Sequence, residues 1–158
     1  MKKILFLVFL ILFSFCTIDI QNLLAQSDTS LPELIPYRKG DKWGFCNQKK
    51  EIVISCKYDE AKLFSEGLAV VSLNGKCGFI NKEGKEVIPL IFDDAEDFNE
   101  GLAPVMINNK CGFVDKKGIE IISFKYDYVE FFNKGLAFVK LNGIWGYIDK
   151  NGTEYWEE

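Results

Sequence analysis

The sequence of 158 residues contains no histidine. Histidine is the usual general base at neutral pH and the commonest protein metal ligand. Its absence excludes the Ser-His and Cys-His pairs that activate a nucleophile. No two cysteines stand in a Cys-x-x-Cys spacing either, so a four-cysteine metal site is not indicated.

Clustered basic charge is also missing. Lysine and arginine are scattered along the chain, and the formal net charge is −4. Nucleic-acid-binding domains carry a basic patch or stripe, so we expect no nucleic-acid partner. The sequence has no glycine-rich phosphate loop and no serine-centred elbow. We therefore predict a protein that is not an enzyme and that uses no cofactor or metal.

A long hydrophobic run occurs only at the amino terminus. Residues 4–15 are apolar apart from Ser14, and they follow a basic Met-Lys-Lys start. This run is too short to span a bilayer and suits the core of a signal peptide. We predict a signal peptide over residues 1–25 and a disordered lead-in over 26–33. The mature chain would then be exported, to the periplasm, cell surface or medium, without a stable membrane span.

Two other fates of the amino terminus stay open. One is an uncleaved membrane anchor. The other is a lipoprotein lipidated at Cys16, which the bulky Phe15 before it disfavours, because that signal prefers a small residue there.

The rest of the sequence contains four copies of one sequence motif, with a period of 34 residues and no insertion. A fixed period of this length is the sequence signature of a repeat architecture. Four units, near residues 34–56, 68–90, 102–124 and 136–158, form one domain over 34–158. Seven glycines define the repeat, in two aligned columns: Gly44, Gly78, Gly112 and Gly146, and Gly67, Gly101 and Gly135.

Each unit predicts a three-stranded antiparallel meander. Asn74-Gly75 lies between two apolar runs, which is a strong hairpin signal, and it places Val70 opposite Phe79 and Ser72 opposite Cys77. A second turn at residues 81–84 leads to a third strand that we expect to end at Pro89, since proline cannot donate to a ladder. Connections of 11 residues, each with a central phenylalanine, join the units, and a short fourth strand or one helical turn in them stays open.

Adjacent residues on the strands are both apolar, as at Phe79 and Ile80, so both faces must be covered. One repeat alone cannot do this, and the units should stack. The predicted fold is all-β, with the meanders stacked into an elongated β-solenoid-like array. The alternative is a small closed propeller-like ring.

The repeated sequence motif resembles the WG (KWG) repeat of bacterial proteins. Lys42-Trp43-Gly44-Phe45 and Trp145-Gly146-Tyr147 carry the namesake dipeptide, and Glu86-Val87-Ile88-Pro89 is close to the family pattern. The resemblance covers roughly residues 34–158. It implies an exported or cell-surface β-repeat domain and no particular biochemical function. Cys77 and Cys111 replace the tryptophan in the middle repeats, which interrupts any continuous aromatic strip.

Trp43 and Trp145 are the first candidate site, since they could stack on sugar rings or hold a cation. The alternative, favoured by the cysteines in the same column, is that they pack on the core. The cysteines themselves, Cys46, Cys56, Cys77 and Cys111, could form disulfides in an exported chain. The predicted register pairs Cys46 with Ile52 and leaves Cys56 too far away, so we expect free, buried thiols.

Acidic residues supply the remaining candidates. Asp93, Asp94, Glu96 and Asp97 could bind Ca²⁺, although a solvated connection is the simpler interpretation. Asp93 with Glu120 is a conceivable hydrolase pair. The sequence thus favours an exported, non-catalytic module that binds an unknown protein or an envelope glycan. A purely structural spacer and a carboxylate-based hydrolase are the alternatives.

Overall fold

A computed structural model describes residues 31–156. The predicted signal peptide and Cys16 lie outside these residues. The described part is built from β-strands, and in it no helix has the length and apolar character needed to cross a membrane. In chain order the strands are β1 (Ile35–Lys39), β2 (Lys42–Cys46), β3 (Ile52–Tyr58), β4 (Glu60–Ala61), β5 (Ala69–Leu73), β6 (Lys76–Ile80), β7 (Glu86–Phe92), β8 (Asp94–Ala95), β9 (Leu102–Ile107), β10 (Lys110–Asp115), β11 (Glu120–Tyr126), β12 (Tyr128–Val129), β13 (Leu136–Leu141), β14 (Ile144–Asp149) and β15 (Glu154–Tyr155).

The strands form four antiparallel sheets in chain order. The first sheet is β1-β2-β3, and the next three are β4-β5-β6-β7, β8-β9-β10-β11 and β12-β13-β14-β15. The predicted three-stranded meander is present in each sheet. The connections that the sequence left open contain a short strand, which pairs with the first long strand of the following meander.

The hairpin turns have the geometry that their residues predict. Val70 lies opposite Phe79 and Ser72 opposite Cys77, which confirms the predicted register. Asn74 and Gly75 have φ values of 54° and 74°. Both are positive, as a two-residue type I′ turn requires.

The predicted end of the third strand at Pro89 is wrong. β7 continues to Phe92, and its register with β6 shifts between Phe79↔Ile88 and Cys77↔Phe92. Residues 89–91 therefore bulge opposite Gly78. A proline is tolerated there because a bulge leaves residues outside the ladder. A Cβ at Gly78 would lie 2.7 Å from the Ile88 carbonyl oxygen, so the bulged backbone requires a glycine on the facing strand.

Three hydrophobic cores lie between consecutive sheets. The second sheet shows how both of its faces are used: Ala69, Val71 and Ile80 contribute to the first core. Val70 and Phe79 contribute to the second core, together with Ala103 and Val105 of the third sheet. The third core joins the third and fourth sheets. Among residues 31–156, none of these cores joins the first sheet to the fourth. The repeats therefore form a stacked array and not a closed ring.

The expectation of two covered faces holds for the first two strands of the second and third meanders, β5, β6, β9 and β10, and fails for the third strand. Val53, Val87 and Ile121, one in each third strand, are exposed. The third strand lies at the edge of its sheet. In β7, for example, Ile88 and Phe92 lie in a core, whereas Val87 and Ile91 are exposed.

The connections are fixed to the stack at several points. The ring centroids of Phe79 and Phe98 are 4.9 Å apart, and the same contact recurs in the neighbouring repeats. Ser65 Oγ donates to the Phe98 carbonyl at 2.7 Å, and Glu100 accepts from the backbone N–H of Gly135 at 3.0 Å. These bonds tie each connection to the next one, 33–35 residues later.

Candidate functional site: an aromatic surface and an adjoining groove

One face of the fourth sheet is uncovered, although the equivalent face is buried in the second and third sheets. In the second sheet this face carries Val70 and Phe79, both in the second core. Their counterparts in the fourth sheet, two repeats later, are Phe138 and Tyr147, which are also paired across strands. Within residues 31–156 no further sheet covers them, and 48% of the surface of Tyr147 is exposed.

Aromatic residues cluster on this face. We call Tyr128, Phe138, Lys140, Trp145 and Tyr147 the aromatic surface. The rings of Phe138 and Trp145 are stacked, with centroids 4.9 Å apart and planes 10° apart. Tyr128 meets Trp145 edge-on at 5.6 Å, and the Lys140 ammonium lies 5.0 Å from the centre of the Trp145 ring. Alternation along the strands puts all five side chains on one face.

Trp43 and Trp145 differ in their surroundings. Trp145 is 46% exposed and belongs to none of the three cores, so the interpretation that it packs on the core does not hold. Trp43 is half-buried and pairs with Arg38 and Tyr58 across the first sheet. Cys77 and Cys111, which occupy the same column, pack against the second and third cores. The column is therefore half-buried against the cores in the middle of the stack and exposed at the fourth sheet.

A groove of about 540 Å³ adjoins the aromatic surface, between the third and fourth sheets. Its floor contains the buried side chains of Ala95 and Val105 and the half-buried Met106 and Cys111. Tyr128 lines the groove and also contacts Trp145. The complete lining is Asp94, Ala95, Glu96, Pro104, Val105, Met106, Cys111, Asp127, Tyr128, Val129, Glu130 and Phe131.

Every charged side chain that lines the groove is acidic. Asp127 is compensated by Lys110, whose ammonium lies 2.6 Å away and holds the pKa of that carboxyl below its usual range. Glu96 pairs with Lys62 at 2.8 Å. Asp94 and Glu130 form no ion pair with any residue of the described range 31–156. The groove thus has an apolar floor and a negatively charged rim.

The four cysteines within residues 31–156, Cys46, Cys56, Cys77 and Cys111, are free thiols, as predicted. Cys46 is paired with Ile52, which confirms the register from which that prediction was made. Only Cys46 is fully buried, and the other three are half-buried. Burial raises the pKa of Cys77 and of Cys111, and the nearby Asp94 carboxylate raises both further.

The acidic candidates are not brought together. Asp93 lies beside β8 and Glu120 begins β11, so the two residues flank opposite edges of the third sheet with two strands between them. Asp93 instead binds Lys76 and the backbone N–H of Asn108. In the stretch that the structure describes, no three acidic or cysteine side chains converge on a possible metal position.

Sequence reasoning singled out Trp145 but missed the residues around it. The signal was present: Phe138, Lys140 and Tyr147 are larger or more polar than Val70, Ser72 and Phe79 in the same columns. The groove gave no comparable signal, because its walls come from two different repeats.

Comparison with known proteins supports the repeat assignment. A family model described as "WG containing repeat" matches three consecutive stretches of the chain, residues 43–77, 78–111 and 112–143. Neither the curated proteins nor the solved structures contain a match to the chain.

Proposed function

The chain belongs to the WG repeat family, and we propose that it is an exported, non-catalytic binding module that holds a cell-envelope glycan against its aromatic surface. The repeats act as the scaffold. The stacked sheets fix the position of the fourth sheet, and this sheet presents the rings to the ligand.

One observation carries this proposal. The face that carries Val70 and Phe79 in the second sheet is buried, whereas the same face of the fourth sheet carries Phe138 and Tyr147 and is open. A contiguous exposed apolar patch marks an interaction site, whereas single exposed apolar residues do not. Tyr147 and Lys140 also carry more polar ends than Phe79 and Ser72 in the same columns, which suits a ligand that has both apolar and hydroxyl-bearing parts.

A sugar ring fits this chemistry. Its C–H face packs on an aromatic ring, while the Tyr147 hydroxyl, the Trp145 indole N–H and the Lys140 ammonium are available as hydrogen-bond partners. Trp145 is held by Phe138 on one side and Tyr128 at its edge. A ring held in this way loses little conformational freedom when it binds, which favours affinity.

Protein binding is the second candidate, and the acidic rim of the groove favours it, because charge complementarity steers partner proteins. A purely structural spacer would leave the aromatic surface without a ligand. A carboxylate-based hydrolase has the least support, since Asp93 and Glu120 lie at opposite edges of one sheet.

The direct test is co-sedimentation of the mature chain, from Gln26, with insoluble envelope glycan from which proteins have been removed. We expect wild-type protein to pellet with the glycan and Trp145→Cys to stay in the supernatant. This substitution installs the residue that the same column carries at positions 77 and 111, so the hairpin should still form. Trp43→Cys is the matched control and should pellet like the wild type.

Equal binding by Trp145→Cys and the wild type would contradict the role of the aromatic surface. An empty pellet with every glycan fraction would favour the spacer. Export needs its own test: cell fractionation with amino-terminal sequencing of the mature protein should find a chain that starts at Gln26. A chain that starts at Cys16, or one that retains Met1 in the membrane, would overturn the cleavage that we propose.

A further inference from the structure

The repeat provides an internal comparison for the groove. Lys62, Glu96 and Glu130 occupy one column of the repeat, and Ala61, Ala95 and Val129 occupy the column directly before it. The backbone N–H groups of Lys62, Glu96 and Glu130 donate to the carbonyls of Val70, Pro104 and Phe138 at 2.8–2.9 Å. The three positions are therefore placed alike in their repeats.

A lysine ammonium fills the earlier of the two equivalent positions. Lys62 Nζ donates to the Ala95 carbonyl at 3.0 Å and pairs with the Glu96 carboxylate at 2.8 Å. One repeat later, the equivalent acceptors are the Val129 carbonyl and the Glu130 carboxylate, and both residues line the groove. The residue in the place of Lys62 is now Glu96, which cannot donate.

The acceptors in the groove consequently lack their cation. No side chain within residues 31–156 donates to the Val129 carbonyl, and Glu130 has no ion-pair partner there. A carboxylate and a carbonyl beside an apolar floor form a favourable site for an ammonium on an alkyl stem, because charge-assisted hydrogen bonds are among the stronger ones.

We infer that the groove binds a lysine side chain presented by an extended segment of a partner protein. The ammonium would lie at Glu130 and the Val129 carbonyl, where it repeats the contacts of Lys62. The alkyl stem would lie over Met106 and beside the Tyr128 ring. This inference goes beyond the proposed glycan binding and does not depend on it.

Charge and shape both support this occupant. Four carboxylates and no basic side chain line the groove, so a cationic segment is attracted and an anionic one is repelled. The short strands β8 and β12 lie at the edges of their sheets beside the groove, and an extended segment can run along such edges.

The test is a titration of ¹⁵N-labelled mature protein with the peptide acetyl-Ala-Lys-Ala-amide, followed by amide chemical shifts. We expect the shifts to concentrate at Glu96, Met106, Val129 and Glu130. The peptide in which norleucine replaces lysine should bind at least about tenfold more weakly, since it lacks the charged hydrogen bonds.

Three variants sharpen the test. Glu130→Gln should weaken lysine-peptide binding about tenfold, whereas Glu86→Gln, which removes an exposed carboxylate elsewhere, should leave it unchanged. Glu96→Lys restores the lysine of the column and should abolish peptide binding, because its own ammonium occupies the site. Lys62→Ala should create a second site, detected as new shifts at Ala95 and Ser72, which are the counterparts of Val129 and Met106 one repeat earlier.

Several outcomes would overturn the inference. Equal binding of the lysine and norleucine peptides would show an apolar groove without an ammonium site. Equal losses in Glu130→Gln and Glu86→Gln would show attraction to net charge alone. If n-butylammonium binds as tightly as the peptide, the site takes a free amine and the partner protein is excluded. Amide shifts of each free variant that match the wild-type pattern away from the groove would establish that the fold is intact.

Discussion

The Asp93 carboxylate lies 2.6 Å from the Lys76 ammonium, across two consecutive repeats. Its second oxygen accepts from the backbone N–H of Asn108 at 2.7 Å, at the turn of the following hairpin. The same arrangement recurs at Asp59 and Asp127. This aspartate follows an aromatic residue in each repeat, as Tyr58-Asp59, Phe92-Asp93 and Tyr126-Asp127. It joins the lysine of one hairpin to the turn of the next.

This device predicts loss of stability in acid. The Lys76 ammonium, followed by the Asn108 N–H, lowers the pKa of Asp93 below 3.8, and Asp59 and Asp127 are lowered by equivalent partners. A lowered folded-state pKa contributes stability that is complete above the ordinary pKa and is lost as the pH falls through the folded-state value. Urea unfolding at pH 7 and pH 3 should show a lower midpoint in acid. Asp93→Asn should reduce the difference between the two midpoints, whereas Glu86→Gln should not reduce it.

Substitution of either of two repeat-defining glycines should destabilise the fold, for a different reason at each position. Gly78→Ala places a Cβ 2.7 Å from backbone atoms of Ile88 and Pro89, and this overpacking should cost about 1–3 kcal/mol of unfolding free energy. Gly101 has φ of 89° and open space around it, so Gly101→Ala should cost about 1–2 kcal/mol through backbone strain.

Asparagine separates the two causes. Gly101→Asn should recover part of the loss, because asparagine tolerates positive φ better than alanine. Gly78→Asn should be worse than Gly78→Ala, because it is larger. Urea denaturation of the four variants measures both effects, and recovery at position 78 would contradict the steric explanation.

Asp97 should be a site of easy stabilisation. Its Oδ1 is buried without a hydrogen-bond partner among the described residues, and burial raises its pKa. The same column carries Leu63 and Phe131. Asp97→Leu should raise the unfolding free energy by about 1 kcal/mol at pH 7, since it removes an unsatisfied polar group.

The pH dependence checks this cause. A carboxyl with a raised folded-state pKa destabilises the fold as the pH rises from the ordinary Asp value of 3.8 through the raised value. The advantage of Asp97→Leu should therefore shrink as the pH falls through the raised value and be smallest below 3.8. Asp97→Asn, which loses the charge and stays polar, should gain less than leucine. An advantage that does not change with pH would rule out the buried carboxylate as its source.

Asp94 should control two thiols in neighbouring repeats. Burial first and the Asp94 carboxylate second raise the pKa of Cys77 and of Cys111. The thiolate is the reactive form, so Asp94→Asn should speed alkylation of both by iodoacetamide at neutral pH, by a factor of about two to five. Mass spectrometry after timed labelling gives the separate rates. Cys56 provides the internal control, and an equal acceleration there would indicate general loosening of the fold.

The sequence alone determined the repeat, the hairpin register and the need for stacking. These features depend on local chemistry: Asn74-Gly75 specifies its turn, and adjacent apolar residues such as Phe79 and Ile80 require cover on both faces. The free thiols also followed from local register, since Cys46 pairs with Ile52 and not with Cys56.

Only the tertiary structure decided how the repeats contact one another. Pro89 was predicted to end its strand, but it lies in a bulge whose backbone faces Gly78. A bulge depends on the pairing of two strands, so the residue type at one position of the repeat does not predict it. The pairing of β8 with the following meander depends on contacts that cross repeat boundaries. The open face around Trp145 and the groove beside Glu130 arise because the stacking of whole sheets determines which copy of each column is covered.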